Sequence, residues 1–205
     1  MIRKSKEQFV YTKEIASSYK NCKDFDLGYN FFVDNFVKIH GVPSGSLVDL
    51  CCGTGGIAQA FKTQFPNLDI VGYEQSSEMA ELASSEYYTV INQSIVHVNQ
   101  TFDNVVSNNA YHHFDNIDQF WLAVNQASHS NSKILISDVV RPASEFQAEQ
   151  IVKEVLGNNS IFEEGFYLSL VAGYSEDELH DHAKDLNLII LDTMIKDFKM
   201  FFIHN

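Results

Sequence analysis

Leu47-Val48-Asp49-Leu50-Cys51-Cys52-Gly53-Thr54-Gly55-Gly56-Ile57-Ala58 is the stretch whose reading decides the fold. An apolar run carrying one acid opens into a glycine-rich turn, after which Ile57, Ala58, Phe61 and Phe65 recur at helical spacing. Glycines in such a turn permit tight bending and let a ligand approach the backbone. The next apolar run, Asp69-Ile70-Val71-Gly72-Tyr73, ends at Glu74, where a carboxylate can accept hydrogen bonds from both hydroxyls of a ribose. Strand, glycine turn, helix, strand, acid is a nucleoside-binding layout, with the ligand over the C-terminal end of the first strand. Taken alone, Gly53-x-Gly55-x-x-Ala58 also satisfies the dinucleotide fingerprint, which keeps a nicotinamide (NAD) oxidoreductase in view.

Outward from this stretch the alternation continues. Thr89 to Ile91, Val105 to Ser107 and Ile134 to Ser137 are short apolar runs between helix-like segments, the pattern of parallel strands joined by crossover helices. Beyond a helical and aromatic region from Glu145 to Asn187 come Leu188 to Met194 and Lys199 to His204, separated by a connector too brief for a parallel crossover. That pair is expected to be antiparallel. The fold class is therefore α/β: a seven-stranded, mostly parallel sheet with one antiparallel strand and helices on both faces. Upstream, Tyr29, Phe32, Val33, Phe36 and Val37 share a helical face before the turn at Gly41 to Gly45, as a packing stripe does.

Composition narrows the function. The 205 residues, 45% of them apolar, suffice for one sizeable core, and no repeat or linker interrupts them. A net charge of −13, with 14 Lys and Arg against 27 Asp and Glu, argues against gripping a nucleic-acid backbone, which takes a basic face. Small molecules or peptides fit better as substrates, and the acidity also serves solubility. Three cysteines, two adjacent, form neither a disulfide framework nor a zinc site and suit a reducing cytosol. No run approaches the ~20 apolar residues of a membrane helix, and Phe9-Val10-Tyr11 is too short for a signal-peptide core. A soluble cytoplasmic protein, monomer or homodimer and without membrane contact, is expected. His180 and His182 stand two apart and His112 and His113 are adjacent, so neither pair faces a common ion; no metal is expected.

With these motifs in this order, the chain resembles the class I S-adenosylmethionine-dependent methyltransferases, closely over Leu47 to Asp138 and more loosely beyond. The resemblance implies a Rossmann-like domain over 1–205, with a helical cap at 1–45, a cofactor-binding half at 46–138 and a substrate-side half at 139–205. Asp49 to Gly55 resembles the family's first motif, an acid followed by three alternating glycines, except that Cys51 takes the first glycine position and puts a small thiol beside the cofactor's methionine end. Glu74-Gln75-Ser76-Ser77-Glu78-Met79 is similar to the second motif, whose acid holds the ribose and whose Met lies near the adenine. Asn92-Gln93-Ser94 falls where the family often has Gly-Asp-Ala, and Gln93 offers a carbonyl to the adenine amino group. The segment from Phe102 to Phe114, with Asn108 at its strand end, resembles the fourth-strand motif of small-molecule members; Lys133 to Pro142 resembles a fifth strand closing on an acid and an Arg-Pro pair. The implied cofactor contacts are Asp49, Cys51, Cys52, Gly53, Gly55, Glu74, Gln75, Met79, Gln93, Ser94 and Asn108.

What the resemblance implies for chemistry is methyl transfer to a small-molecule acceptor, in which the protein holds acceptor and methyl in line and keeps water away. His113 and His112 are the candidate general bases, or else cap the strand end and pack on the cofactor. Asp138 and Arg141 close the fifth strand; Arg141 either clamps an anionic group of the acceptor or pairs with Asp138 to fix the loop before Pro142. Tyr11, Tyr19, Phe166 and Tyr167 are candidates for a lid, or ordinary packing. No Pro-Pro-aromatic follows Asn108-Asn109, which argues against nucleic-acid adenine. The rivals are an NAD-dependent oxidoreductase, in which an acid at the Asp49 position would be unusual, and a non-catalytic cofactor-binding regulator.

Overall fold

The computed structural model describes residues 1–4, 12–21, 23–84, 87–157, 161–185, 189–195 and 198–205. Its elements are α1 (Lys13–Asn21), α2 (Lys23–His40), β1 (Ser46–Leu50), α3 (Gly56–Gln64), β2 (Asp69–Tyr73), α4 (Ser77–Ala83), β3 (Thr89–Ile91), β4 (Phe102–Asn108), α5 (Ile117–Ala127), β5 (Ser128–Val139), α6 (Glu145–Leu156), α7 (Glu163–Ala172), α8 (Glu176–Asp185), β6 (Ile189–Ile195) and β7 (Phe198–His204). Short 3-10 turns cover Ile95–His97 and Tyr111–His113. The strands form a seven-stranded sheet in the order β3-β2-β1-β4-β5-β7-β6. β1 pairs in parallel with β2 and with β4, β2 with β3, and the final pair β6 and β7 is antiparallel, as its short connector requires. This is a Rossmann-like sheet, and its strand order reverses between β1 and β4.

The chain divides into two compact units. One comprises Tyr11–Asn108 and Asn116–Leu135. Its core is the inward set of β1, β2 and β4 (Leu47, Val48, Leu50, Ile70, Val105, Val106) with Phe32, Phe36 and Phe61 from the helices, all buried. Phe61 packs in T-shaped fashion with both Phe32 and Phe36 at ring distances of 6.4 and 5.3 Å. The aromatic stripe of α2 is thus packing. Asn116 and Ser76 cap α5 and α4 by accepting the N–H of Asp118 and Met79.

The second unit comprises Met1–Val10, Asn109–Asp115 and Ile136–Asn205. Val139, Ala148, Ile151, Val152, Leu170, Val171 and Met200 form its apolar core, against which Phe166 and Tyr167 pack. Ser144 caps α6, and Ser175 with Glu178 makes a reciprocal capping box at α8: Ser175 N–H donates to Glu178 Oε2 at 2.8 Å and Glu178 N–H to Ser175 Oγ at 3.4 Å.

Several strands depart from the apolar runs that mark them, β4 by beginning at Phe102, three residues before Val105. β5 begins at Ser128, six residues before Ile134, because its polar half is fixed by hydrogen bonds and not by burial: Ser132 Oγ donates to Phe102 O at 2.5 Å and accepts His129 N–H at 2.8 Å. β1 stops at Leu50, since Cys51 turns left-handed at φ 60°.

Candidate functional site

The loop after β1 has a simple backbone rule. Cys51, Gly53 and Gly55 all stand at positive φ, at 60°, 55° and 82°, so the alternation of the motif is an alternation of left-handed residues. Glycine is the residue that adopts this region without steric cost, and Cys51 does so against its Cβ. The glycines differ in their surroundings. A Cβ on Gly53 would meet nothing within 4 Å, whereas one on Gly55 would run into the Tyr88 hydroxyl and one on Gly56 into the Tyr29 ring. Gly53 is therefore the open side of the loop; Gly55 and Gly56 are its packed side. Tyr88 also donates to Gly55 O at 3.2 Å.

Two carboxylates hold this loop. β1 and β2 pair with Leu50 opposite Tyr73, which brings Glu74 beside the loop at the same end of the sheet. Glu74 accepts the Gly53 N–H at 2.9 Å through Oε2 and the Ser76 N–H at 2.8 Å through Oε1. Asp49 accepts the N–H of Ala58 in the first turn of α3, and its Oδ2 is buried without a hydrogen-bond partner. Asp49 is 1% exposed and Glu74 9%. Burial drives the Asp49 pKa up to about 8 against the Ala58 hydrogen bond, with Glu74 adding to the rise; burial raises Glu74 as well. Both thiols rise with them, chiefly through burial, so Cys51 and Cys52 stay protonated.

Other residues of the cradle follow in the same unit. Asn92 donates to the backbone carbonyls of Glu74 at 2.8 Å and Gln75 at 3.2 Å, tying the end of β2 to the end of β3. Gln75 and Gln93 are exposed, Met79 is buried on α4, and Ser94 precedes the 3-10 turn without capping it by its side chain. Asn108 ends β4 half-buried, and Ser107 donates to Leu50 O at 2.7 Å, fastening β4 to β1 where the strand order reverses. Tyr19 is half-buried on α1; Tyr11 lies outside the described residues.

The remaining candidates belong to the second unit. His112 donates its backbone N–H to Asp138 Oδ2 at 2.9 Å and meets Oδ1 through Nδ1 at 2.7 Å, with Val139 N–H also on Oδ1 at 2.7 Å. A carboxylate only accepts here, so Nδ1 carries the proton. His113 is exposed and lies over His112 at 4.3 Å between rings. Arg141 pairs with Glu178 at 2.9 Å and donates to Gly173 O at 3.0 Å. Asp138 and Arg141 therefore take separate partners. Tyr167 donates to Glu145 at 3.3 Å and lines a groove of about 660 Å³ with Glu149, Lys153 and Glu163.

Residues 48–134 match the model of a family described as a methyltransferase domain. The matched stretch runs from β1 into β5 of the Rossmann-like sheet. Solved structures share the fold. The plantazolicin methyltransferase BpumL, in complex with a monoazolic desmethylPZN analog and SAH, is 14% identical with a TM-score of 0.69, the match covering 93% of this chain and 88% of that one. A Methanococcus maripaludis protein, described provisionally as an S-adenosyl-L-methionine-dependent methyltransferase, is 14% identical with a TM-score of 0.68, over 98% and 96% of the two chains. Among the described residues, no helix is long and apolar enough to cross a membrane.

Several residues gain a place that the sequence alone had not given them. Tyr88, through one hydrogen bond to backbone, and Asn92, through two, brace the loop and the end of β2, for which no local pattern exists. Glu178 had a signal in Ser175-x-x-Glu178, the capping-box spacing. Arg3 reaches across the second unit to donate to His112 O at 3.0 Å, Phe114 O at 3.1 Å and Ala172 O at 2.8 Å, with its guanidinium 4.4 Å from the centre of the Tyr174 ring. It fastens the turn that carries His112.

Proposed function

We propose that this protein transfers a methyl group from S-adenosylmethionine to a small-molecule acceptor. The observation that carries the cofactor choice is the loop held between two buried carboxylates, Asp49 and Glu74, with one Asp49 oxygen unpartnered. A buried carboxylate is costly unless it is paired. A ligand bearing a sulfonium and an ammonium relieves that cost, whereas a pyrophosphate adds to it. Two of the N–H groups near a pyrophosphate's place are also engaged, Ala58's by Asp49 and Gly53's by Glu74. These two facts favour S-adenosylmethionine over a nicotinamide dinucleotide.

The bound cofactor supplies an already activated methyl group. The chain's part is to bind and orient: Glu74 for the ribose hydroxyls, exposed Gln93 for the adenine amino group, and Gly53, whose Cβ position is open, for close approach of the ligand to the backbone. His113, exposed beside the His112–Asp138 pair, is the candidate to take a proton from the acceptor, while buried His112 keeps the turn in place. With its guanidinium committed to Glu178 and Gly173, Arg141 serves better as a tie than as a clamp for an anionic acceptor. A small acceptor suits the net charge of −13. BpumL, itself solved with azolic desmethylPZN analogs, shows one acceptor class that this fold accommodates.

Parallel calorimetric titration with S-adenosylmethionine, S-adenosylhomocysteine and NAD tests the reading. Micromolar binding of the first two without NAD is expected; binding of NAD alone would reverse the assignment.

A further inference from the structure

The two carboxylates of the loop are not equivalent. Glu74 has both oxygens engaged by backbone N–H groups, while Asp49 has one N–H from Ala58 and a buried Oδ2 with none. The groups facing Asp49 offer its charge little. Glu74 at the end of β2 opposes it, and so would ionised forms of Cys51 and Cys52 in the loop and of Tyr88 before β3. Across the sheet its register partners are Gly72 of β2 and Val106 of β4, both uncharged. Lys20 of α1 reaches the loop, but it points its ammonium at the carbonyls of Thr54 at 3.5 Å and Leu82 at 2.5 Å. Asp49 is thus a buried, half-satisfied carboxylate beside a second one.

We propose that Asp49 makes the cradle select charge: it favours the sulfonium cofactor over the neutral thioether left after transfer, and it loses a proton to solvent when the cofactor binds. The inference rests on the cofactor reading above. In the ligand-free protein a pKa of about 8 leaves Asp49 carrying its proton at neutral pH. A cation entering beside the loop favours the carboxylate form, so the neutral acid plus the cationic ligand gives the ion pair plus one proton released. The thioether brings one positive charge fewer and expels less of that proton. Binding of the cofactor therefore strengthens as pH rises toward about 8 and levels above it, binding of the product strengthens less, and the preference between them widens over the same window. The same residue that strengthens binding before transfer weakens it afterwards, which assists product release.

Calorimetry with S-adenosylmethionine and S-adenosylhomocysteine at about pH 6.5 and about pH 8.5, in buffers of different ionisation enthalpy, reads both affinity and protons released. Both ligands carry an α-amino group that titrates near pH 7.7–8.0, roughly, so the native protein is compared with Asp49→Asn, which keeps an acceptor for Ala58 and cannot ionise. A preference for the sulfonium that grows by about three- to tenfold across this range in the native protein, and stays flat in the variant, is expected. Equal preference and equal proton release in both proteins would overturn the inference while leaving the cofactor assignment intact. Should Asp49→Asn not fold, the native protein decides: the sulfonium must release more protons than the thioether. Failure of both ligands to bind would instead remove the cofactor reading on which the inference rests.

Discussion

The loop at Cys51 to Gly55 and the turn at Tyr111 to His113 are both built on buried acids, and their charges are settled in opposite ways. Around the turn each acid or base has its protein partner: Asp138 holds His112 and Val139, Glu178 holds Arg141, and Arg3 is spent on three carbonyls and Asp115. Around the loop Asp49 keeps a buried oxygen without a partner, and Glu74 stands beside it. Buried polar groups are nearly always satisfied, so the finished cluster is one the protein completes for itself, and the proposed reading makes the unfinished one the ligand's. Substitutions at the two places should separate along that line, stability being lost in the first and binding in the second.

The largest effect is expected at Asp138. Asp138→Ala leaves the His112 and Val139 N–H groups and the His112 Nδ1–H without their acceptor in a buried setting, and should lower unfolding stability by about 3–5 kcal/mol in urea titration. A cost within about 0.5 kcal/mol, the range of ordinary surface substitutions, would mean that the cluster is not the structural tie its geometry describes. Next comes Glu74→Ala. On the proposed reading the ribose shares this acceptor with Gly53 and Ser76, so its removal should weaken S-adenosylmethionine by more than about tenfold, from roughly 1.5–3 kcal/mol for hydrogen bonds to a charged group. Unchanged affinity in calorimetry would take Glu74 out of the site and erase the contrast with Asp138.

Legibility in the sequence followed the same divide. The cradle could be read because its parts are local: the acid, the alternating left-handed positions and the acid at the end of β2 lie within one strand-helix-strand unit, and hydrophobic periodicity fixes their spacing. The antiparallel pairing of β6 and β7 followed from connector length. The His112 cluster could not be read, because Asp138 stands 26 residues from His112 and Arg3 109 residues from it, and no local period links positions so far apart. For the same reason Asp138 and Arg141, three apart at a strand end, look like partners in sequence and are not. The polar half of β5 was hidden by a different cause: hydrogen bonding and not burial makes it a strand, which leaves no apolar signal.

Cys51 is where the loop carries its smallest testable cost. At φ 60° its Cβ faces the carbonyl crowding that disfavours left-handed backbone in L-residues by roughly 1–2 kcal/mol. Glycine at the same position escapes that clash but gives up roughly 0.5–1 kcal/mol to the greater freedom of the unfolded chain. Burial and the neighbouring Glu74 and Asp49 carboxylates hold the thiol protonated, so no thiolate interaction is lost on replacement. Cys51→Gly should therefore gain about 0.5–1 kcal/mol, a rise of a few degrees in Tm, with S-adenosylmethionine affinity unchanged. Gly53→Ala supplies the mirror image, because φ is 55° there and an added Cβ would meet nothing within 4 Å, so its cost is backbone conformation alone. If the two substitutions move Tm by similar amounts in opposite directions, the alternation in this motif is an alternation of backbone states. If Cys51→Gly instead loses stability or binding, the thiol makes a contact that offsets its strained backbone, and the first position of the loop belongs with the satisfied cluster at Asp138.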